Sequence, residues 1–173
     1  MDRITLITGG ARSGKSTHAL ALASAHGGPR RVFVATGQPL DDEMAARIAH
    51  HKTSRPPEFT TVEEPLNVAA ALEALAGRAD MVVLDCLTLW VANQMGINVP
   101  EDAFHFEAGH LATALRKAPF ASIVVTDEVG SGIVPDNPTA RQFRDYLGRT
   151  NQKIAAAADR VILMVAGLPM RVK

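Results

Sequence analysis

The chain has 173 residues, 47% of them hydrophobic and 21% charged, with 18 basic and 18 acidic side chains and no formal net charge. That make-up suits one globular domain over residues 1–173, burying roughly 70% of its unfolded surface without a metal or disulfide staple. It argues against a protein built to hold nucleic acid; the single cysteine, Cys86, excludes a disulfide framework, and no apolar run nears the roughly 20 residues that span a bilayer.

In chain order, short apolar runs alternate with stretches of helical spacing. Residues 4–8 predict a buried strand, 15–25 a helix, 31–35 a strand and 42–53 a helix ended by Pro56-Pro57. Residues 59–63 are compatible with an added edge strand. A helix over 66–75, a strand over 81–84 and helices over 87–94 and 104–116 follow, then a strand over 122–126, a helix over 139–158 and a strand over 161–165. Residues 96–102 and 127–138 read as the long loops. Strands apolar at nearly every position belong in a parallel sheet covered on both faces. No charged-then-apolar leader opens the sequence, so the expectation is a soluble cytoplasmic protein with neither nucleic acid nor membrane as partner.

The strongest chemical signal is Gly9-Gly10-Ala11-Arg12-Ser13-Gly14-Lys15-Ser16, placed after a strand and opening a helix. Glycines let successive backbone N–H groups point into one concavity at a helix N-terminus, where an anion is favoured. Lys15 suits the terminal phosphates and the Ser16 hydroxyl suits Mg²⁺. A nucleoside triphosphate with magnesium is expected. The fold class this implies is α/β, a P-loop NTPase (RecA-like) three-layer sandwich with a mostly parallel central sheet. Such a loop serves kinases, hydrolases and motors alike, so it names no reaction.

Residues 41–52 read as a helix capped by Asp41, with Met44 and Ile48 as its buried stripe. His51 falls near that stripe and His50 on the polar side. His51 is either a surface histidine welcome at a helix C-terminus or a nucleophile or acid–base group near the nucleotide. Two buried strands end in acids, Asp85 and Asp127, at the edge where open α/β sheets collect ligands. Either acid suits magnesium; one instead suits a substrate proton or a base. Glu63 is a weaker candidate of the same kind.

These segments converge on a family. The loop of residues 9–16, Arg47-Ile48-x-x-His51-Lys52-x-x-Arg55-Pro56, Leu84-Asp85-Cys86-Leu87-Thr88-Leu89-Trp90 and Glu128-Val129-Gly130-x-Gly132-Ile133-Val134-Pro135 together carry it, with matches over 140–152 and 166–169. The chain resembles the bifunctional adenosylcobinamide kinase/adenosylcobinamide-phosphate guanylyltransferases of cobalamin biosynthesis. The resemblance implies phosphorylation of the adenosylcobinamide aminopropanol hydroxyl by ATP or GTP, then GMP transfer from GTP through a guanylylated histidine, releasing pyrophosphate. It places that histidine at His51. It sets Glu63 and Asp85 against the GTP, Asp85 shared with magnesium, and has Ala35, Thr36, Gly37, Lys52, Thr53, Ser54 and Arg55 border the nucleotide. It also implies a homo-oligomer, a trimer. The loop of residues 130–135 is expected to form part of the corrinoid-facing wall. A simple P-loop kinase of a small metabolite and a nucleotide-gated binding module are the alternatives.

Overall fold

A computed structural model of the chain describes residues 2–53 and 55–173. Seven strands, β1 (Ile4–Gly9), β2 (Arg31–Ala35), β3 (Phe59–Glu63), β4 (Met81–Asp85), β5 (Ala121–Val125), β6 (Arg160–Val165) and β7 (Leu168–Arg171), form one sheet in the order β3-β2-β4-β5-β1-β6-β7. All neighbours are parallel except β6 and β7, which form an antiparallel hairpin. The predicted α/β sandwich with a mostly parallel sheet is what the chain forms, and residues 59–63 are its edge strand. β7 is an unpredicted strand. Pro169 lies within it, and proline is tolerated only where a ladder donor is dispensable, as on an edge.

Strand side chains alternate between two cores. Ile4, Leu6, Val32, Val34, Val82, Leu84 and Val124 face the larger one. It is closed by α3 (Val68–Ala74), α4 (Leu87–Gly96), α5 (Glu101–Lys117) and α6 (Pro138–Ala157). Ile7, Phe33, Met81, Val83, Ile123 and Val125 face the smaller one, covered by Ala19 and Ala23 of α1 (Lys15–Ser24). This period-2 burial on both faces explains why the strands read as continuous apolar runs. Trp90 and Tyr146 are core residues, stacked on either side of Phe104 with centroids 5.7 and 4.5 Å away.

Several boundaries moved by a residue or more, and two of the shifts reshape the predicted long loops. α5 begins at Glu101, so only residues 97–100 link α4 to α5. Pro100 precedes its first turn, which carries Glu101 and Asp102 at the positive end of the dipole. The 127–138 loop ends one residue early because Pro138 opens α6, with the Asn137 side chain accepting from Thr139 and Ala140 N–H at 2.8 and 3.3 Å. Among the described residues, no helix is long and apolar enough to cross a membrane.

The histidine helix, α2 (Asp42–Thr53), has no buried residue. Asp41 caps it as expected, accepting the Met44 N–H at 2.7 Å. The predicted buried stripe is only half-buried at Met44 and Ile48, and His51 is exposed. No second layer covers this helix. It leans on the sheet edge through Ile48, whose Cδ1 would lie 3.4 Å from a Cβ placed at Gly37, as would that of Leu89.

Candidate active site

β1 delivers the phosphate loop to the carboxyl edge of the sheet. Gly9 has φ 151°, and a Cβ there would stand 2.5 Å from the Met164 carbonyl oxygen, so only glycine fits between β1 and β6. Gly14 takes φ 93° and Arg12 φ 55°, turning the loop so that α1 starts at Lys15 with no capping side chain. The first-turn N–H groups and the positive end of the dipole are left to an anion. Gly10, Ala11 and Arg12 form the exposed rim. The Ser13 and Thr8 hydroxyls beneath are buried without a hydrogen-bond partner.

Lys15 is only 9% exposed and folds back over the loop. Its Nζ donates to the Gly10 carbonyl at 2.6 Å and pairs with Asp127 Oδ1 at 2.6 Å. The Asp127 backbone is fixed in turn: its N–H donates to Thr88 Oγ1 at 2.9 Å and its carbonyl accepts from Asn151 Nδ2 at 3.0 Å. The Thr126 hydroxyl locks Asn151 at 2.7 Å.

Asp85 ends β4 beside Ser16. Crowding away from water raises its pKa above the usual carboxylate value, and the negative charge of Asp127 adds to that. A Ser16 hydrogen bond and the positive fields of His51 and Lys15 oppose the rise. His51 thus bears on Asp85 from the last turn of α2, and the two imidazoles, His50 and His51, sit edge to face at 6.3 Å. Neighbouring Cys86 is no nucleophile: burial, then the Asp85 charge, push its thiol up to about 12.

The remaining expected residues lie on the β2–β3 side. Arg55 sits 3.7 Å from the centre of the Phe33 ring, donates to Thr61, and has its pKa lowered by desolvation against the pull of Asp85 and Glu63. Lys52 pairs with Glu63 at 2.5 Å. Lys52, Arg55, Phe59, Thr61 and Glu63 line a cavity of about 340 Å³. Thr53 turns its hydroxyl back to the His50 carbonyl, and Ser54 lies outside the described residues. Thr36 is fully buried, its hydroxyl bridging the Cys86 carbonyl and N–H at 2.7 and 2.9 Å. Its side chain therefore ties β2 to β4, and its backbone is engaged as well: the Thr36 N–H donates to the Asp85 carbonyl at 3.2 Å, its carbonyl accepts from Asn93 Nδ2 at 2.8 Å, and the Ala35 carbonyl accepts the Glu64 N–H at 2.9 Å.

A family model described as cobinamide kinase / cobinamide phosphate guanyltransferase matches residues 5–172. The chain belongs to that family. Curated relatives agree over nearly full length. The "Bifunctional adenosylcobalamin biosynthesis protein CobU" of Salmonella typhimurium is 44% identical across 97% of this chain and 98% of its own. The protein of the same name in Escherichia coli is 41% identical over the same shares. CobP of Pseudomonas aeruginosa is 42% identical over 97% and 96%. In fold, the chain is similar to a type III secretion system ATPase, with TM-score 0.57, 12% identity and coverage of 93% of this chain but 50% of that one. A RadB recombinase gives 0.55 and 18%, over 92% and 73%. These likenesses are of fold alone, a mostly parallel sheet between helical layers.

Family motifs single out the loop and His51, and the sequence already sets Asp127 beside Asp85 as a strand-end acid at the active edge, without pairing it to Lys15. What decided the place of Asp127, contact with a lysine 112 positions earlier, leaves no local mark. The same holds for Thr88, Asn151 and Met164.

Proposed function

We propose that the protein, within the one domain of residues 1–173, phosphorylates the aminopropanol hydroxyl of adenosylcobinamide with ATP or GTP and then guanylylates the product with GTP. The arrangement that supports this most joins a complete phosphate loop to an imidazole in the last turn of α2, both of which bear electrostatically on one strand-end carboxylate, Asp85. A simple kinase needs the first and has no use for the second.

In the first step Gly9, Gly10, Ala11, Arg12, Ser13 and Gly14 hold the phosphates through backbone N–H groups while Lys15 offsets charge at the terminal phosphoryl. In the second, a neutral His51 nitrogen attacks the α-phosphorus of GTP, and the α–β phosphoanhydride bond breaks with release of pyrophosphate. A phosphate oxygen of adenosylcobinamide phosphate then displaces the imidazole, forming the new P–O bond as the P–N bond breaks. Neutral imidazole approaches an anionic phosphate without the repulsion a carboxylate meets. Lys52, Thr53, Ser54, Arg55 and Glu63 flank the nucleotide, with Arg55 and Phe33 giving a cationic, flat surface.

Ser16 and Asp85 fit Mg²⁺: the Ser16 hydroxyl and the Asp85 carboxylate, two hard oxygen donors, are hydrogen-bonded to each other where α1 begins. No cluster of three or more His, Cys, Asp or Glu is present among the described residues, which suits an ion completed by phosphate and water oxygens. When bound, the ion supplies charge neutralisation on the phosphates.

We assign part of the corrinoid-facing wall to the loop of residues 130–135. Gly130 and Gly132 do not take positive φ; the loop is instead strapped by Arg144 to the carbonyls of Gly130, Gly132 and Ile133, leaving Ile133 97% exposed. Arg144→Ala is therefore expected to raise the corrinoid KM more than the GTP KM. Leu168, Met170 and Val172, at every second position of the β7 edge, leave 71%, 54% and 64% of their surfaces exposed, which supports a homo-oligomer, a trimer by family resemblance. Met170→Lys is expected to reduce the mass in light scattering.

The deciding test is incubation with α-labelled GTP. Acid-labile, base-stable label on the protein and mass gain on adenosylcobinamide are expected; absence of protein-bound label leaves only a kinase.

A further inference from the structure

Among the described residues, five acids end strands or begin loops at the active edge, and each is committed to a different partner: Glu64, for one, accepts the Leu66 and Asn67 N–H groups. Asp85 takes the Ser16 hydroxyl, Glu63 pairs with Lys52, and Glu128 bends back to accept the Gly130 N–H at 2.6 Å. Asp127 forms the 2.6 Å ion pair with the phosphate-loop lysine. Its backbone is held on both sides by side chains, those of Thr88 and Asn151, while 28% of its own side chain stays accessible.

We propose that Asp127 is the catalytic base that removes the proton from the cobinamide hydroxyl in the phosphorylation step, an inference resting on the bifunctional reading above. A phosphate-loop lysine lies along the terminal phosphates, so a carboxylate within 2.6 Å of its Nζ stands beside the phosphoryl group being transferred. The hydroxyl oxygen bonds to the terminal phosphorus as that phosphorus parts from the bridging oxygen. The nucleoside diphosphate leaves with the electron pair. The hydroxyl proton passes to the Asp127 carboxylate and from there to solvent. Asp85 is badly placed for this work because Ser16 and the ion that pair would hold claim its oxygens.

The two reactions differ in their need for such a group. The first acceptor is an alcohol, scarcely acidic at neutral pH. The second is a phosphate, already ionised, with no proton to lose. A base therefore matters to one half of the chemistry. In the empty protein the same carboxylate also competes with a triphosphate for Lys15.

The experiment compares wild type, Asp127→Asn and Asp127→Glu in three assays: phosphorylation of adenosylcobinamide, GMP transfer to separately prepared adenosylcobinamide phosphate, and calorimetric binding of a non-hydrolysable ATP analogue without corrinoid. For Asp127→Asn the kinase kcat is expected to fall about 10²- to 10³-fold, in the range of a lost general base, and GMP transfer by less than a tenth as much. Analogue binding is expected to tighten, because a negative charge beside the phosphates is gone. Asp127→Glu, which keeps a carboxylate, is expected to recover part of the kinase rate. Equal losses in both reactions with weakened analogue binding would make Asp127 a prop for Lys15 and overturn the proposal, as would a kinase rate within threefold of wild type. A wild-type protein that phosphorylates no cobinamide sinks the bifunctional reading and this inference with it.

Discussion

The phosphate loop and the histidine helix meet at one edge of the sheet and are held in opposite ways. Behind the loop, α1 buries Lys15, Ala19 and Ala23, and the loop's glycines fit against the backbone of β6 and its hairpin. α2 buries nothing and is tied by one isoleucine, an exposed Lys52–Glu63 pair and the Arg55 contacts with Phe33 and Thr61. Surface ion pairs of this kind stabilise by only about 0–1 kcal/mol. A cradle that stabilises developing charge works only if its dipoles are fixed beforehand. A side chain that accepts a group from one molecule and hands it to another gains from a support that is cheap to displace, and low-stability segments supply such supports.

The largest effect that tests this contrast is at His51. His51→Ala is expected to cut GMP transfer by more than about 10⁴-fold, as loss of a covalent nucleophile does, with a far smaller loss in cobinamide phosphorylation. Mass spectrometry after GTP exposure reads the adduct directly; one that survives His51→Ala and disappears in His50→Ala reverses the assignment. Next is Lys15. Lys15→Ala is expected to lower both reactions by about 10²- to 10³-fold, since both use the same cradle. A variant that loses only one would show that two separate nucleotide sites exist.

Stability gives a smaller, sharper contrast. Leu147 is fully buried between α6 and the sheet, and Leu147→Ala is expected to cost about 2–5 kcal/mol. Thermal melts should drop by about 2–4 °C for each kcal/mol in a domain of this size. Ile48→Ala removes a half-buried side chain and is expected to cost about 1 kcal/mol or less, with its main effect on GMP transfer. Equal melts for the two would place α2 in the cooperative core.

The smallest effects are those of pH. Because Asp85 holds its proton more firmly folded than unfolded, its burial penalty is absent below the ordinary value of 3.8. It grows as pH rises toward the raised folded value and is complete above it. Asp85→Asn is therefore expected to stabilise the empty protein at neutral pH. Asp80 has the opposite sign: the Arg30 guanidinium and backbone N–H hold it at about 2, so its contribution is full above 3.8 and fades as pH falls toward 2. Melts of wild type, Asp85→Asn and Asp80→Asn across pH 2–8 separate the two slopes.

Most of the architecture was legible because strands apolar at every position and capped, periodic helices are local signals. Asp41, Ile4–Gly9 and the glycine-rich loop needed no partner to be recognised. β7 was hidden since Leu168–Arg171 is short, carries a proline and forms only by pairing with β6. α2 misled in degree: its spacing gave the correct face, but periodicity says which side is apolar and nothing about how deep the covering layer is. Asp127 shows the same limit at the site, its partner being set by strand order.

The β6–β7 turn is stitched to the loop of residues 9–16: the Gly167 N–H donates to the Ser13 carbonyl at 3.1 Å, and Met164 closes over Gly9. Anion capture and integrity of that distant hairpin are consequently one thermodynamic quantity seen from two sides. Triphosphate is therefore expected to slow amide exchange in residues 160–171, and a partner on the outer edge of the hairpin that triphosphate helps to seat is expected to tighten triphosphate binding by the same factor.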